Sequence, residues 1–146
     1  MKLETSPGTN VRQAVPFLAV SSIQASVRYY VDGLGFEMAN RWLDEGTLRW
    51  CWLRLGGAAL MLQEFRREGH DSWVPEGKVG LGVSIYFVCE DALAIYRQLV
   101  SRGIPASRPL VANGMWVTSL TDPDGYRIAF ESETDVPEET EYSEPA

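Results

Sequence analysis

The chain has 146 residues, 45 % of them apolar, enough for one domain with its own core and too few for several. Its formal charge is −7, but six of the 20 acids (Glu133, Asp135, Glu138, Glu139, Glu141 and Glu144) fall after residue 132 with no base among them. The remaining 14 acids face 13 bases, a near-neutral body that argues against a nucleic-acid partner. No apolar run approaches the roughly 20 residues that span a bilayer, and "MKLETSPGTNVRQ" lacks the apolar stretch of a secretory signal. No membrane partner is therefore expected, and a cytoplasmic location is. Cys51 and Cys89 sit in apolar, strand-like segments without a CxxC pair, which predicts reduced, buried thiols.

Residues 1–11 read as a flexible lead-in. "RQAVPFLAV" (12–20) reads as a strand. In "SSIQASVRYYVDGLGF", Ser22 suits a helix N-cap, and Ile23, Val27, Tyr30 and Val31 share one helical face. Gly33 and Gly35 end that helix. Three strand-like runs follow, "FEMANRW" (36–42), "LRWCWLRL" (48–55) and "AALMLQEF" (58–65), with turns at Asp44-Glu45-Gly46 and Gly56-Gly57. The order is β-α-β-β-β.

After "RREGHDSWVPEGKVG", a polar stretch within a linker (66–81) that can serve as a flap, the order repeats. "GVSIYFV" (82–88) reads as a strand, and "EDALAIYRQLVSRG" as a helix with Asp91 near its N-cap and Ile95 and Leu99 on its apolar face. "IPASRPLV" reads as a weak edge strand, because Pro105 and Pro109 cannot donate to a ladder. "MWVTSLT" and "YRIAFES" complete the set. One offset of 68 superposes Val15 on Val83, Val20 on Val88, Val27 on Ile95, Val31 on Leu99, Gly35 on Gly103 and Gly57 on Gly125. The prediction is an α+β fold of two tandem β-α-β-β-β modules (12–65 and 82–132) forming curved mixed sheets around a trough. Residues 133–146, acidic and without apolar periodicity, read as a disordered tail.

This duplicated unit, with "YYVDGLGF" after the first helix and "DPDGYRIAF" in the last hairpin, resembles the vicinal oxygen chelate superfamily. That group includes glyoxalase I, extradiol dioxygenases, fosfomycin-resistance enzymes and bleomycin-resistance binding proteins. The resemblance covers about residues 12–132 and speaks to fold more than to function. In the metalloenzymes it implies His, Gln or Glu at four positions, here Val15, Met61, Val83 and Ala129. Val and Ala have no donor atoms, and a Met thioether prefers soft ions. A one-residue slip would put Ser84 in place of Val83. The resemblance thus points to the bleomycin-resistance-like branch, with no cofactor and no catalytic residue.

Strand alternation places Phe17 and Ala19 with Val15, Ala59 and Gln63 with Met61, Ile85 and Phe87 with Val83, and Arg127 and Glu131 with Ala129. The expected ligand-lining residues are Phe17, Trp50, Trp52, Met61, Gln63, Ile85, Trp116 and Glu131, with Glu131 and Gln63 as polar anchors at matching places. Aromatic walls suit a flat or hydrophobic ligand; packing against helices or a dimer partner is their structural alternative. Trp42 lies nearer a turn, and Trp73 in the linker can cap the trough. His70, the only histidine, sits among Glu64, Glu68 and Asp71 and reads as solvated surface; with no second histidine it cannot complete a 2-His-1-carboxylate site. The functional expectation is metal-free binding of a small hydrophobic or aromatic molecule by a homodimer. The alternatives are a glyoxalase-like lyase, isomerase or dioxygenase with an unidentified metal site, or a sealed scaffold serving a partner.

Overall fold

Each half of the chain builds its own four-stranded mixed sheet with one helix laid across it. The computed structural model describes residues 8–69 and 72–144. The first module contains β1 (Phe17–Val20), α1 (Ile23–Val27), β2 (Glu37–Asp44), β3 (Thr47–Leu55) and β4 (Ala58–Glu64). The second contains β5 (Ser84–Val88), α2 (Ala92–Ser101), β6 (Leu110–Ala112), β7 (Met115–Thr121) and β8 (Arg127–Glu133). The strand orders are β1-β4-β3-β2 and β5-β8-β7-β6. In each sheet the first strand runs parallel to the last, and the other pairs are antiparallel. The expected α+β class and the duplication are both present.

The helix caps follow the sequence. Ser22 Oγ accepts from Ala25 N at 3.2 Å, and Asp91 Oδ1 accepts from Leu93 N and Ala94 N at 3.1 and 3.0 Å, so orphan amides of the first turns are satisfied. After α1 the chain widens into a π-helical turn, Arg28–Gly33, that buries Tyr30. Thr118 Oγ1 donates to Ala92 O and Ser132 Oγ accepts from Ala92 N, both at 2.9 Å, which fastens the start of α2 to the sheet beneath it.

Alternation gives each sheet a helix-covered face. Leu18, Val20, Cys51, Leu53, Leu60 and Leu62 form it in the first module, and Phe87, Leu120, Ile128 and Phe130 in the second. The two covered faces belong to one core, in which Phe36 meets Phe87 edge-on with ring centroids 5.7 Å apart. Each such apolar side chain contributes roughly 1.5–3 kcal/mol on burial. Polar contacts join the modules around it. Tyr30 OH donates to Asp122 Oδ2 at 2.7 Å, Tyr126 OH to Ala19 O at 2.8 Å, and Arg102 Nη1 to Gly33 O at 2.8 Å.

Three expectations need correction. β1 starts at Phe17 and β5 at Ser84, so Val15 and Val83 precede their strands. The last strands of the modules correspond at an offset of 68, but the first strands at 69, since Phe17 pairs with Met61 whereas Tyr86 pairs with Ala129. The acidic segment, for which disorder was expected, instead runs along β6. Val111 N donates to Thr140 O, Glu139 N to Val111 O and Tyr142 N to Pro109 O, at 3.0, 2.9 and 2.9 Å. The ring of Tyr142 then meets Tyr96 and Trp116 edge-on. An open strand edge and one aromatic anchor outweigh the charge pattern. In the linker, Arg66 and Trp73 exchange two backbone bonds and Trp73 stacks edge-on against Phe65, while His70 and Asp71 lie outside the described residues.

Gly80 and Gly82 share a φ of +78°, but a Cβ at Gly80 would stand 2.8 Å from Tyr126 Cδ1 and 3.2 Å from its Cα, whereas one at Gly82 meets nothing within 4 Å. Both alanine variants carry the left-handed penalty; only Gly80→Ala adds the clash. In urea denaturation Gly80→Ala should lose at least about 1 kcal/mol more than Gly82→Ala. Equal losses would show that Tyr126 shifts freely.

Asp122 is buried, and burial raises its carboxyl pKa above the ordinary 3.8, against the hydrogen bonds from Tyr30, Tyr126 and Asp124. A raised folded-state pKa contributes stability that is complete below about 3.8 and is lost as pH rises through the folded value. Asn at this position keeps an acceptor for the two amides and can donate its Nδ2–H to the Tyr30 oxygen, reversing that bond, but does not titrate. Unfolding curves at pH 4 and pH 7 should therefore show Asp122→Asn gaining on the wild type as pH rises. A constant difference between the two proteins would refute the assignment.

Candidate functional site

A four-stranded sheet with one helix has one face left over. On the first sheet, cross-strand registry aligns Phe17, Met61, Trp52 and Asn40 in one row and Ala19, Gln63, Trp50 and Trp42 in the next. These rows lie on the face away from α1. Phe17 and Trp42 are about half exposed, and Trp50, Trp52, Met61 and Gln63 are half-buried. With strands about 4.8 Å apart, a row of four spans about 14 Å, the scale of a two- or three-ring molecule. The wall is aromatic, and its polar side-chain groups are the Gln63 and Asn40 amides and the indole N–H groups. Phe65 follows Gln63, and Trp73 packs on Phe65. The expected residues Phe17, Trp50, Trp52, Met61 and Gln63 are thus brought together.

The uncovered face of the second sheet has a different character. Its rows are Ser84–Arg127–Thr121, then Tyr86–Ala129–Ser119, then Val88–Glu131–Val117–Leu110. A cavity of about 280 Å³ lies over the first two rows, lined among others by Ser84, Tyr86, Ser107, Ser119, Arg127 and Ala129. Glu131 shares this face, as expected, but stands one row beyond that cavity.

Two expected lining residues are not on this face. Ile85 and Phe87 alternate with Ser84, Tyr86 and Val88, and pack into the core. Trp116 pairs with Ser132 and Val111 on the helix-covered side, where it meets Tyr142. The one-residue difference in offset flips the first strand of the second module, because side-chain direction has period two. Its consequence is that Ser84 and Tyr86, rather than Val83 and Ile85, face the site. The alternation of polar Ser84 and Tyr86 with apolar Ile85 and Phe87 was the available signal.

The residues at the four family positions do not fit a divalent cation. Val15 and Ala129 have no donors, Met61 offers a thioether, and Ser84, which takes the place of Val83, is a neutral hydroxyl. Among the described residues no three His, Cys, Asp or Glu side chains converge. Burial pushes the Cys51 thiol up to about 11 and also raises that of Cys89, so neither supplies a thiolate near neutral pH.

A separate groove of about 610 Å³ runs between the modules, floored by Leu34, Phe87, Leu99 and Phe130. It opens on the shared core and reaches Tyr86 and Val88 of β5.

Residues 12–130 match the profile of the Glyoxalase/Bleomycin resistance protein/Dioxygenase superfamily, and the chain belongs to that family. A comparison with proteins of curated function finds no match. Among solved structures, TioX from Micromonospora sp. ML1 is 20% identical, with a TM-score of 0.68 over 85% of this chain and 100% of that one. TnmS3, an antibiotic binding protein from Streptomyces sp. CB03234, is 18% identical, with a TM-score of 0.63 over 86% and 100% of the two chains. A bleomycin-binding protein complexed with bleomycin is 22% identical, with a TM-score of 0.64 over 85% and 100%. At these identities the likeness is one of fold. No helix among the described residues is long and apolar enough to cross a membrane.

The opposite placements of the tryptophans give distinct stability effects. Trp116→Ala removes a ring packed against the C-terminal segment and should cost about 2 kcal/mol, whereas Trp42→Ala on the uncovered face should cost about 0.5 kcal/mol or less. Urea unfolding monitored by far-UV circular dichroism distinguishes them; a reversed order would place Trp116 on the open face.

Proposed function

We propose that this protein is a cytoplasmic binding protein that sequesters a small hydrophobic or aromatic molecule without a metal and without transforming it. The observation that carries this reading is the uncovered aromatic face of the first sheet, formed by Phe17, Trp50, Trp52 and Met61, beside family positions that lack metal donors. Large apolar side chains held at an open surface are an unfavourable arrangement unless something covers them. A ligand covers part; a second copy of the chain covers the rest, bringing the face of one protomer's first sheet against that of its partner's second sheet. Binding of antibiotics by TnmS3 and by the bleomycin-binding protein is consistent with such a role for this fold.

The test begins with metal content after incubation with Zn²⁺, Ni²⁺, Mn²⁺ and Fe²⁺ and desalting. Less than one tenth of an equivalent retained, followed by saturable quenching of tryptophan fluorescence by polycyclic aromatic compounds, is the expected result. Trp52→Ala should weaken that binding by about tenfold or more, since a buried aromatic contact supplies roughly 1–3 kcal/mol. One tightly held ion per chain would replace this reading with a metal-dependent enzyme. Sedimentation should give a dimer at micromolar concentration; a monomer that still binds would remove the second copy from the site.

A further inference from the structure

We propose that the uncovered face of the second sheet is an oxyanion site, and that the ligand is therefore an aromatic acid rather than a neutral or cationic molecule. The inference rests on the binding role argued above and names the chemistry of its ligand. Ala129 lies in the middle of the face, where the resemblance implies a carboxylate ligand to a metal. Its methyl group leaves room for the cavity of about 280 Å³. Around that space stand the hydroxyls of Ser84, Tyr86, Ser119 and Thr121 and the guanidinium of Arg127, brought together by the pairings Ser84–Arg127–Thr121 and Tyr86–Ala129–Ser119. Ser107 closes one side, its N–H bonded to Ser119 O at 2.8 Å.

No carboxylate lines this cavity. Glu131 is two residues beyond Ala129, about 7 Å along the strand. Arg127 also borders the neighbouring cavity by the 122–125 turn, with Lys78, Asp122 and Asp124, yet it forms no ion pair among the described residues. Asp122 is committed to Tyr30 and to the amides of Asp124 and Tyr126, and Asp124 Oδ1 accepts from Ser21 N. The cavity lining thus presents one positive charge and four hydroxyl donors and no carboxylate, while Glu131, Asp122 and Asp124 stand outside it. That set complements an acceptor-rich anionic group and repels a divalent cation. In the dimer proposed above, the aromatic wall of a second copy's first sheet supplies the surface for the ligand's ring system.

The probes are 2-naphthoate and 2-naphthamide, matched in shape and differing in charge, titrated into the full-length protein by calorimetry at low and high salt. A charge-assisted contact predicts that naphthoate binds about 10- to 100-fold tighter, with the preference shrinking as salt rises. Arg127→Met should bring naphthoate to the level of the amide, and Ser119→Ala should lose part of the preference. Circular dichroism verifies that these two surface variants remain folded. Equal binding of the two probes, or a preference that survives Arg127→Met, overturns the oxyanion site and leaves hydrophobic binding intact. Failure of both probes overturns the site together with the reading beneath it. Inorganic phosphate bound as tightly as naphthoate would mean that the face takes a free anion, which refutes the aromatic-acid assignment.

Discussion

The chain provides one helix for each four-stranded sheet, and the rest of the structure follows from that shortage. A sheet with alternating side chains has two faces, and a single helix can cover only one. Both covered faces merge into one core through Phe36, Phe87 and their neighbours. The modules are therefore joined on their helix-covered side, with Tyr30–Asp122 and Arg102–Gly33 bonds crossing the joint. Neither uncovered face can be closed by the helices of its own chain. What remains exposed is set by topology before any question of ligand arises.

Duplication gives the two free faces the same backbone frame and lets their side chains diverge. Met61 and Ala129 occupy matching positions in the last strands, Phe17 and Tyr86 in the first. Around Met61 the neighbours are Phe17 and Trp52; around Ala129 they are Tyr86 and Ser119. One face offers contact area and the other offers hydrogen-bond donors and charge. A ligand gripped between one of these faces and the other face of a second copy would be recognised by shape at one end and by charge at the other, the usual division of labour in small-molecule sites.

Much of this was legible in the sequence, and the parts that were not have physical causes. Ser22 and Asp91 announced the helix starts because capping is local chemistry. The aromatic face was readable from alternation alone, since Trp50 and Trp52 sit either side of Cys51 and pairing with β4 keeps them beside Gln63 and Met61. Registry between the first and last strands of a module was not readable, because it depends on connections spanning a helix and two strands. A single residue gained or lost there reverses every side chain, and Ile85 falls on the core side accordingly; Trp116 lies on the covered side through its own pairing with Ser132 in the β7–β8 hairpin. The acidic segment misled for another reason. Composition describes average hydration, whereas its order comes from three backbone bonds to the β6 edge and the single ring of Tyr142.

Whether "DPDGYRIAF" builds a wall or a reactive group turns on what the absence of a carboxylate at residue 129 does to its surroundings. Removing an acid from a confined site leaves a volume and also changes the sign of the local field. With Ala129 in place, Arg127 is the one formal charge among the cavity's lining residues, Glu131 standing as far from Ala129 on the other side but a row outside the cavity, and the hydroxyls can orient their protons inward. Charges two residues apart on one strand face are about 7 Å apart, less than a Debye length at physiological salt, so Arg127 acts across the whole cavity. A carboxylate at 129 would have neutralised that field and drawn in a cation. The same backbone positions at which the family resemblance implies metal donors would thereby, in the site proposed above, hold an anion through one small side chain and without any change of fold.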